Sequence, residues 1–232
     1  MWGQGLLANP QFVILLDGGF LTKKLSERLS RHVTADDIVT ECDRLRSLDH
    51  VKGCDLLRIY YYDAHPSSDG LKKPVSGDQM NLGESARYRS SQQLYDQLIM
   101  KPNVALRMGH VALTPNKWKM KPKVARELIT SPRALTDDDF ILDAGQKGVD
   151  MRIGMDIARL ALREMVRTLI VVTGDSDFVP AFKFARREGV KIILEPMGNG
   201  GRIELRQHAD IVLETPRPPK AIAAAATAAT SN

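Results

Sequence analysis

Asp17, Asp150, Asp175 and Asp177 are the residues whose type and placement suggest chemistry in this 232-residue chain. Two of them fall in Thr173-Gly174-Asp175-Ser176-Asp177-Phe178, a turn that follows the apolar run 168–172 and leads into a helical pattern. A strand that ends in two acidic residues is placed to hold a cation. Asp17 closes a similar run, Phe12-Val13-Ile14-Leu15-Leu16, and Asp150 opens the helical pattern that leads into the strand ending at Val172. In an open α/β sheet the binding crevice lies at the carboxyl ends of the strands, where strand order reverses. If these two strands flank the reversal, Asp17 and Asp175 face one crevice. Asp150 joins them where its helix starts near the same rim, and Asp177 does so from an extended turn.

Three or four carboxylates brought this close repel one another unless a cation neutralises them or some of them take up protons. Mg²⁺ or Mn²⁺ is the natural neutraliser, because hard oxygen ligands suit these ions and the site would keep waters for a substrate to displace. Such a site can activate a bound water and stabilise charge on a phosphoryl group, which points to phosphodiester hydrolysis. Each acid also has a plainer role. Asp17 can cap the next helix, Asp177 is an N-cap candidate before Phe178, and Asp150 suits the first turn of a helix dipole. Three independent caps need not, however, all border one crevice.

Asp156 lies six residues beyond Asp150, about 120° round the helix and roughly 9 Å along its axis. It is a second-tier residue, either behind the site or the partner of an arginine such as Arg152 or Arg159. Asp63, at the end of the second strand, is a peripheral candidate. Asp137-Asp138-Asp139 reads as a cap or a solvated turn, and Ser176 as a turn residue, since no motif ties a histidine to it.

The elements that must position these residues alternate along the chain. Residues 12–16 read as a strand buried on both faces, followed by a tight Asp17-Gly18-Gly19 turn and a helix over 20–29. Thr34-Ala35-Asp36-Asp37 supplies an N-cap for a helix running to about Leu48, and residues 56–62 form a second strand. Residues 65–74 look like a loop, 85–100 a helix, and 104–113 a third strand broken at Gly109. The stretch 116–133 has no regular period. Gln146-Lys147-Gly148-Val149-Asp150 opens a helix with apolar residues three or four apart, leading to the strand 169–172. A helix over 178–187 has Pro180 in its first turn and Gly189 at its end. A strand over 190–194, a short helix over 202–208 and a strand over 211–213 follow. This alternation predicts an α/β fold with a parallel sheet and helices on both faces.

Composition is that of a globular chain, with 43% hydrophobic and 26% charged residues. No apolar stretch approaches the roughly 20 residues needed to cross a bilayer, and residues 1–10 lack the features of a secretion signal. We expect no membrane partner and a cytoplasmic location. Cys42 and Cys54 have no further thiols nearby for a zinc set and read as reduced thiols. A net charge of +5 and a pI of ≈ 9.2 mildly favour an anionic partner.

Together these residues resemble the NYN domains, a branch of the PIN-like nuclease superfamily, and within it the bacterial LabA-like group. The matching pieces are Phe12 to Gly18, Tyr61-Tyr62-Asp63-Ala64, Gln146 to Asp150 with Asp156, Val172 to Phe178 with Pro180, and Ala209-Asp210. They run in the family's order. The resemblance implies a three-layer α/β/α PIN-like, Rossmann-like fold with a mostly parallel central sheet, over residues 11–215. It also implies metal-dependent ribonuclease activity, with Asp17, Asp150, Asp175 and Asp177 holding Mg²⁺ or Mn²⁺ and Asp156 near them. Many members carry an Asn shortly after the first Asp, where this chain has Gly19 and Phe20. That departure keeps open a second reading, an NYN module that binds RNA or a protein partner as a regulator.

A basic insertion near 114–135 fits an RNA ligand, single-stranded or structured. Lys117, Lys119, Lys121, Lys123 and Arg126 could track a phosphate backbone, with Trp118 offering a stacking face. The alternative is a solvated loop with Trp118 tucked into the core. The Pro-rich and Ala-rich tail over 216–232 has no apolar face to bury. Nothing in the sequence decides between a monomer and a homo-oligomer.

Overall fold

Strand β1 (Gln11–Asp17) buries five consecutive side chains, and β7 (Thr168–Val172) buries all of its own. Because successive strand residues point to opposite faces, the two runs feed two cores. Val13 and Leu15 join Leu169 and Val171 on one face, while Phe12, Ile14 and Leu16 join Ile170 and Val172 on the other. Full burial of such a side chain is worth about 1.5–3 kcal/mol, so these strands must be central. The chain is therefore layered, with helices covering both faces of the sheet.

The computed structural model describes residues 9–198 and 202–215. The tail over 216–232 lies outside the described residues. Strand β2 (Asp55–His65) pairs parallel with β1 on one side, and β7 pairs parallel with β1 on the other. Beyond β2 stands β5 (Val104–Met120), parallel to it, and β6 (Phe140–Lys147), antiparallel to β5, forms that edge. Beyond β7 come β8 (Lys191–Glu195) and β9 (Ile211–Val212), both parallel. The order β6-β5-β2-β1-β7-β8-β9 reverses direction between β1 and β7, which is where the sequence places its acidic rim. A small hairpin, β3 (Gly70–Lys72) with β4 (Gln79–Asn81), stands apart from this sheet.

One face is covered by α1 (Gly18–Leu29), α2 (Ala35–Arg46) and α3 (Ala86–Ile99). The other is covered by α5 (Val149–Leu162) and α6 (Val179–Arg187), with Leu205 of the short α7 (Ile203–Gln207). Helix α2 starts at a capping box in which Thr34 and Asp37 bond each other's backbone N–H. Arg44 bridges Glu41 of the same helix to the buried Glu195 at the end of β8, fastening α2 to the sheet.

Two expectations about local structure change. Asp17-Gly18-Gly19 is not a separate turn, because α1 begins directly at Gly18. A Cβ on Gly18 would lie 2.6 Å from the Tyr61 ring and 2.6 Å from the Tyr62 carbonyl oxygen, so only glycine lets the helix start this close to β2. The basic stretch is not an irregular loop either. Strand β5 runs on to Met120 and pairs with β6 as an arm beyond the sheet's carboxyl rim, followed by α4 (Pro122–Thr130). Residues 111–120 span roughly 30 Å at strand rise. This arm is held by ladder hydrogen bonds while exposing much of both faces, so it carries no hydrophobic period to read.

Candidate functional site

The rim between β1 and β7 is tied together by Thr173, the residue after β7. Its hydroxyl donates to Asp17 Oδ2 at 3.0 Å and accepts the backbone N–H of Asp175 at 3.2 Å. Asp17 Oδ1 accepts the N–H of Phe20 at 3.2 Å, so Asp17 is also the N-cap of α1. The cap role and the rim position foreseen for this residue are held together. Asp175 in turn accepts the N–H of Asp177 at 3.0 Å and caps a single 3-10 turn, Ser176–Phe178. Asp175 thus takes the capping role that the sequence suggests for Asp177, whose own carboxylate caps nothing: α6 begins two residues later without a side-chain cap.

Asp150 lies in the first turn of α5. That helix starts from Gly148, whose φ of 77° is left-handed backbone that glycine adopts without strain. The charge of Asp150 is raised in cost by its partial burial and then by Asp175 and Asp177, so its pKa lies above the ordinary carboxylate value. Asp17 is likewise raised, chiefly by burial and further by Asp150 and Asp63, although its two hydrogen bonds act in the opposite direction. These mutual influences place the four sequence-predicted acids in one electrostatic neighbourhood. Among the described residues, none of the four forms an ion pair with a lysine or arginine. The four are not drawn into a closed cluster: among the described residues no group of three or more His, Cys, Asp or Glu side chains stands ready to hold a metal ion.

Asp156 differs from them. It is buried, and Arg107 of β5 grips it in a two-pronged pair at 2.8 and 2.6 Å, while the Tyr62 hydroxyl donates to it at 2.9 Å. Its arginine is neither Arg152, which bonds the Gly148 carbonyl, nor Arg159. Its role is to fasten α5 beneath the sheet. Asp63 is buried at the end of β2 and accepts from the Tyr61 hydroxyl at 3.1 Å, its neighbour Ala64 N–H at 2.8 Å and Gln146 Nε2 at 2.9 Å.

The basic segment lies along the outer half of the arm and on α4. Lys117 and Trp118 close β5 near its tip, and the Trp118 N–H donates to the Lys72 carbonyl at 2.9 Å, fastening the arm to the small hairpin. Trp118 is half-buried there, not tucked into either main core. Lys119 pairs with Asp143 at 2.9 Å and Lys123 with Glu127 at 3.5 Å. Lys121 precedes α4 and Arg126 lies exposed on it.

Two residues at the site are not among the site residues that the sequence suggests. Gln146 stands in the sequence at the start of a helical pattern and in a piece that resembles the NYN domains, yet it lies near the end of β6 and its amide reaches Asp63 beside Gly19, where a Cβ would stand 3.8 Å from it. Arg202 donates to the Ser176 hydroxyl at 2.9 Å, bringing a guanidinium to the acidic turn. Both placements depend on long-range register that neither residue's neighbours encode.

Among solved structures, a protein of unknown function from Vibrio parahaemolyticus is similar at 13% identity, over 92% of this chain and 95% of its own, with a TM-score of 0.49. No curated protein matches the chain. The NYN domain model matches residues 21–212, most of the chain's length, and the chain therefore belongs to the NYN domain family.

Proposed function

We propose that this protein is a metal-dependent ribonuclease of the PIN-like, LabA-like type, hydrolysing RNA phosphodiester bonds at the rim between β1 and β7. Membership of the NYN family supports a nuclease-related function in general. The observation that carries the finer reading is the set of carboxylates Asp17, Asp150, Asp175 and Asp177, none ion-paired among the described residues, of which Asp17 and Asp150 are made costlier to ionise first by burial and then by acidic neighbours. An acidic rim whose carboxylates form no ion pair among the described residues suits a hard divalent ion.

The donor chemistry fits Mg²⁺ or Mn²⁺, and Asp17, Asp150, Asp175 and Asp177 would hold it. An open set is what such an ion takes, since Mg²⁺ is usually bound by one or two carboxylates, waters and substrate phosphates and not by an all-protein cage. When bound, the ion would activate water and stabilise phosphoryl charge. The chain's own groups do the positioning. Thr173 holds Asp17 toward the rim, the Asp175 backbone is fixed by the same hydroxyl, and Arg202 presents a guanidinium able to receive a phosphate oxygen.

The test is cleavage of labelled single-stranded RNA with Mg²⁺ or Mn²⁺ by wild type and Asp175→Asn. The variant is expected to lose activity on the order of a hundredfold, as when several kcal/mol of charge stabilisation is removed. Equal cleavage by both, or none by wild type, would overturn the ribonuclease reading. A second reading, an RNA-binding regulator with weak catalysis, is favoured by the lack of a closed metal cluster among the described residues and by Gly19 and Phe20. Binding by wild type without cleavage under either ion is its expected result.

A further inference from the structure

A cleft of ≈ 590 Å³ lies away from the outer half of the basic arm. It opens between α1, the start of α3 and the base of the β5–β6 arm, beginning at Gly19 and Asp63 on the carboxyl rim. A Cβ on Gly19 would stand 3.9 Å from Asp17 Oδ1, so the cleft begins beside the first of the rim carboxylates. Its volume lies in the range of about 300–1,000 Å³ usual for small-ligand sites. That is room for a nucleotide unit but not for a duplex.

The charged residues of its wall are Lys23, His32, Arg87 and Asp63. Asp63 is buried and its oxygens already accept three donors, so it offers a ligand few free lone pairs, and the basic side chains Lys23, Arg87 and His32 outnumber it in the wall. Lys23 and Arg87 are exposed, and among the described residues neither has a carboxylate partner; on the arm and α4, Lys119 and Lys123 are paired while Lys117, Lys121 and Arg126 are not. Lys23 sits four residues from Gly19 on α1, hence on the same helix face and one turn further from the rim. Tyr88 lines the wall from the first turn of α3, where its N–H is held by the Ser85 cap at 3.1 Å. Unpaired cations beside an aromatic ring, next to a site that acts on phosphates, are the combination that holds single-stranded nucleic acid.

We propose that this cleft binds one nucleotide of single-stranded RNA adjacent to the scissile position, with Lys23 and Arg87 on its phosphates and Tyr88 stacking on its base. The proposal deepens the ribonuclease reading and rests on it for the choice of RNA. Gln146, fixed by Asp63 at the inner end of the cleft, presents its remaining amide groups to that nucleotide.

The experiment is equilibrium binding of a fluorescently labelled single-stranded oligoribonucleotide, measured with chelator present so that cleavage plays no part, at several salt concentrations. Wild type is compared with Lys23→Glu/Arg87→Glu, Tyr88→Ala and Tyr88→Phe. The double variant should bind at least tenfold more weakly and flatten the slope of log K against log salt by about 1.4, two single-strand phosphate contacts at about 0.7 each. Tyr88→Ala should weaken binding about tenfold with the slope unchanged, and Tyr88→Phe should restore it. Lys23 and Arg87 are exposed, so a melting temperature near wild type accompanies the charge reversal. Unchanged affinity and slope in the double variant would overturn the cleft assignment while leaving cleavage by wild type intact. Equal competition by a duplex of the same sequence would also overturn it. Cleft-dependent binding by a wild type that never cleaves would instead retain the subsite and remove the ribonuclease reading.

Discussion

Asp17 joins two demands that act against each other. Its carboxylate ends the α1 backbone ladder and is held by Thr173, both of which favour the ionised form, yet burial dominates and raises its pKa above 3.8. For a carboxyl group raised on folding, the sign is that ionisation costs stability: the cost is absent below the unfolded pKa and is fully present above the folded one. Asparagine keeps the cap, and the Thr173 oxygen has lone pairs for the new amide. Asp17→Asn should therefore be more stable than wild type in metal-free buffer at pH 7, by about 0.5–1 kcal/mol, while losing the RNA cleavage proposed for this rim. Thermal melts from pH 3 to 8 would check this. The gap should be negligible near pH 3.5 and open as pH rises, and a variant less stable than wild type at pH 7 would show that the hydrogen bonds outweigh burial.

Elements were legible in the sequence in proportion to how much apolar surface they bury. The runs 12–16 and 168–172 gave themselves away by continuous apolar character, whereas their flanking of the reversal is only a condition at the level of sequence, one that the strand order meets. Strand β6 and the outer half of β5 stayed hidden because most of their side chains are half-buried or exposed, so only backbone pairing defines them. The same hidden strand sets the entry to α5 and so the position of Asp150. The tie between β5 and α5 is the Arg107–Asp156 pair, with Arg107 also 5.8 Å over the Tyr60 ring. Arg107→Ala would leave Asp156 buried with only the Tyr62 hydroxyl. Asp156 is buried but Arg107 is 39% exposed, so the loss should be that of leaving a buried acceptor short of its partner, about 1–3 kcal/mol. Urea unfolding should show that loss, and a change under about 1 kcal/mol would mean that Asp156 is reached by solvent or rests chiefly on Tyr62.

At the scale of the whole molecule, the fold gathers carboxylates that no lysine or arginine among the described residues pairs with. Rims of open α/β sheets bring together residues far apart in sequence, and here Asp17 and Asp175 meet through one threonine while Asp150 arrives from a helix on the opposite face. The sequence could name these acids because each ends or begins an element, but the distances among them depend on how α5 enters, which no local pattern encodes. An unneutralised rim should make the folded chain a better cation ligand than the unfolded one. A divalent ion that binds only the folded chain stabilises it by about 1.4 kcal/mol at ten times its dissociation constant. At about 2–4 °C per kcal/mol for a chain of this size, Mg²⁺ or Mn²⁺ should raise the melting temperature by roughly 3–6 °C. NaCl at matched ionic strength should not reproduce the rise, because screening alone acts on exposed pairs throughout the surface. Asp150→Asn and Asp175→Asn should each lose most of the increment. If both variants gain as much as wild type, the ions act elsewhere and the carboxylates at the rim are not their site.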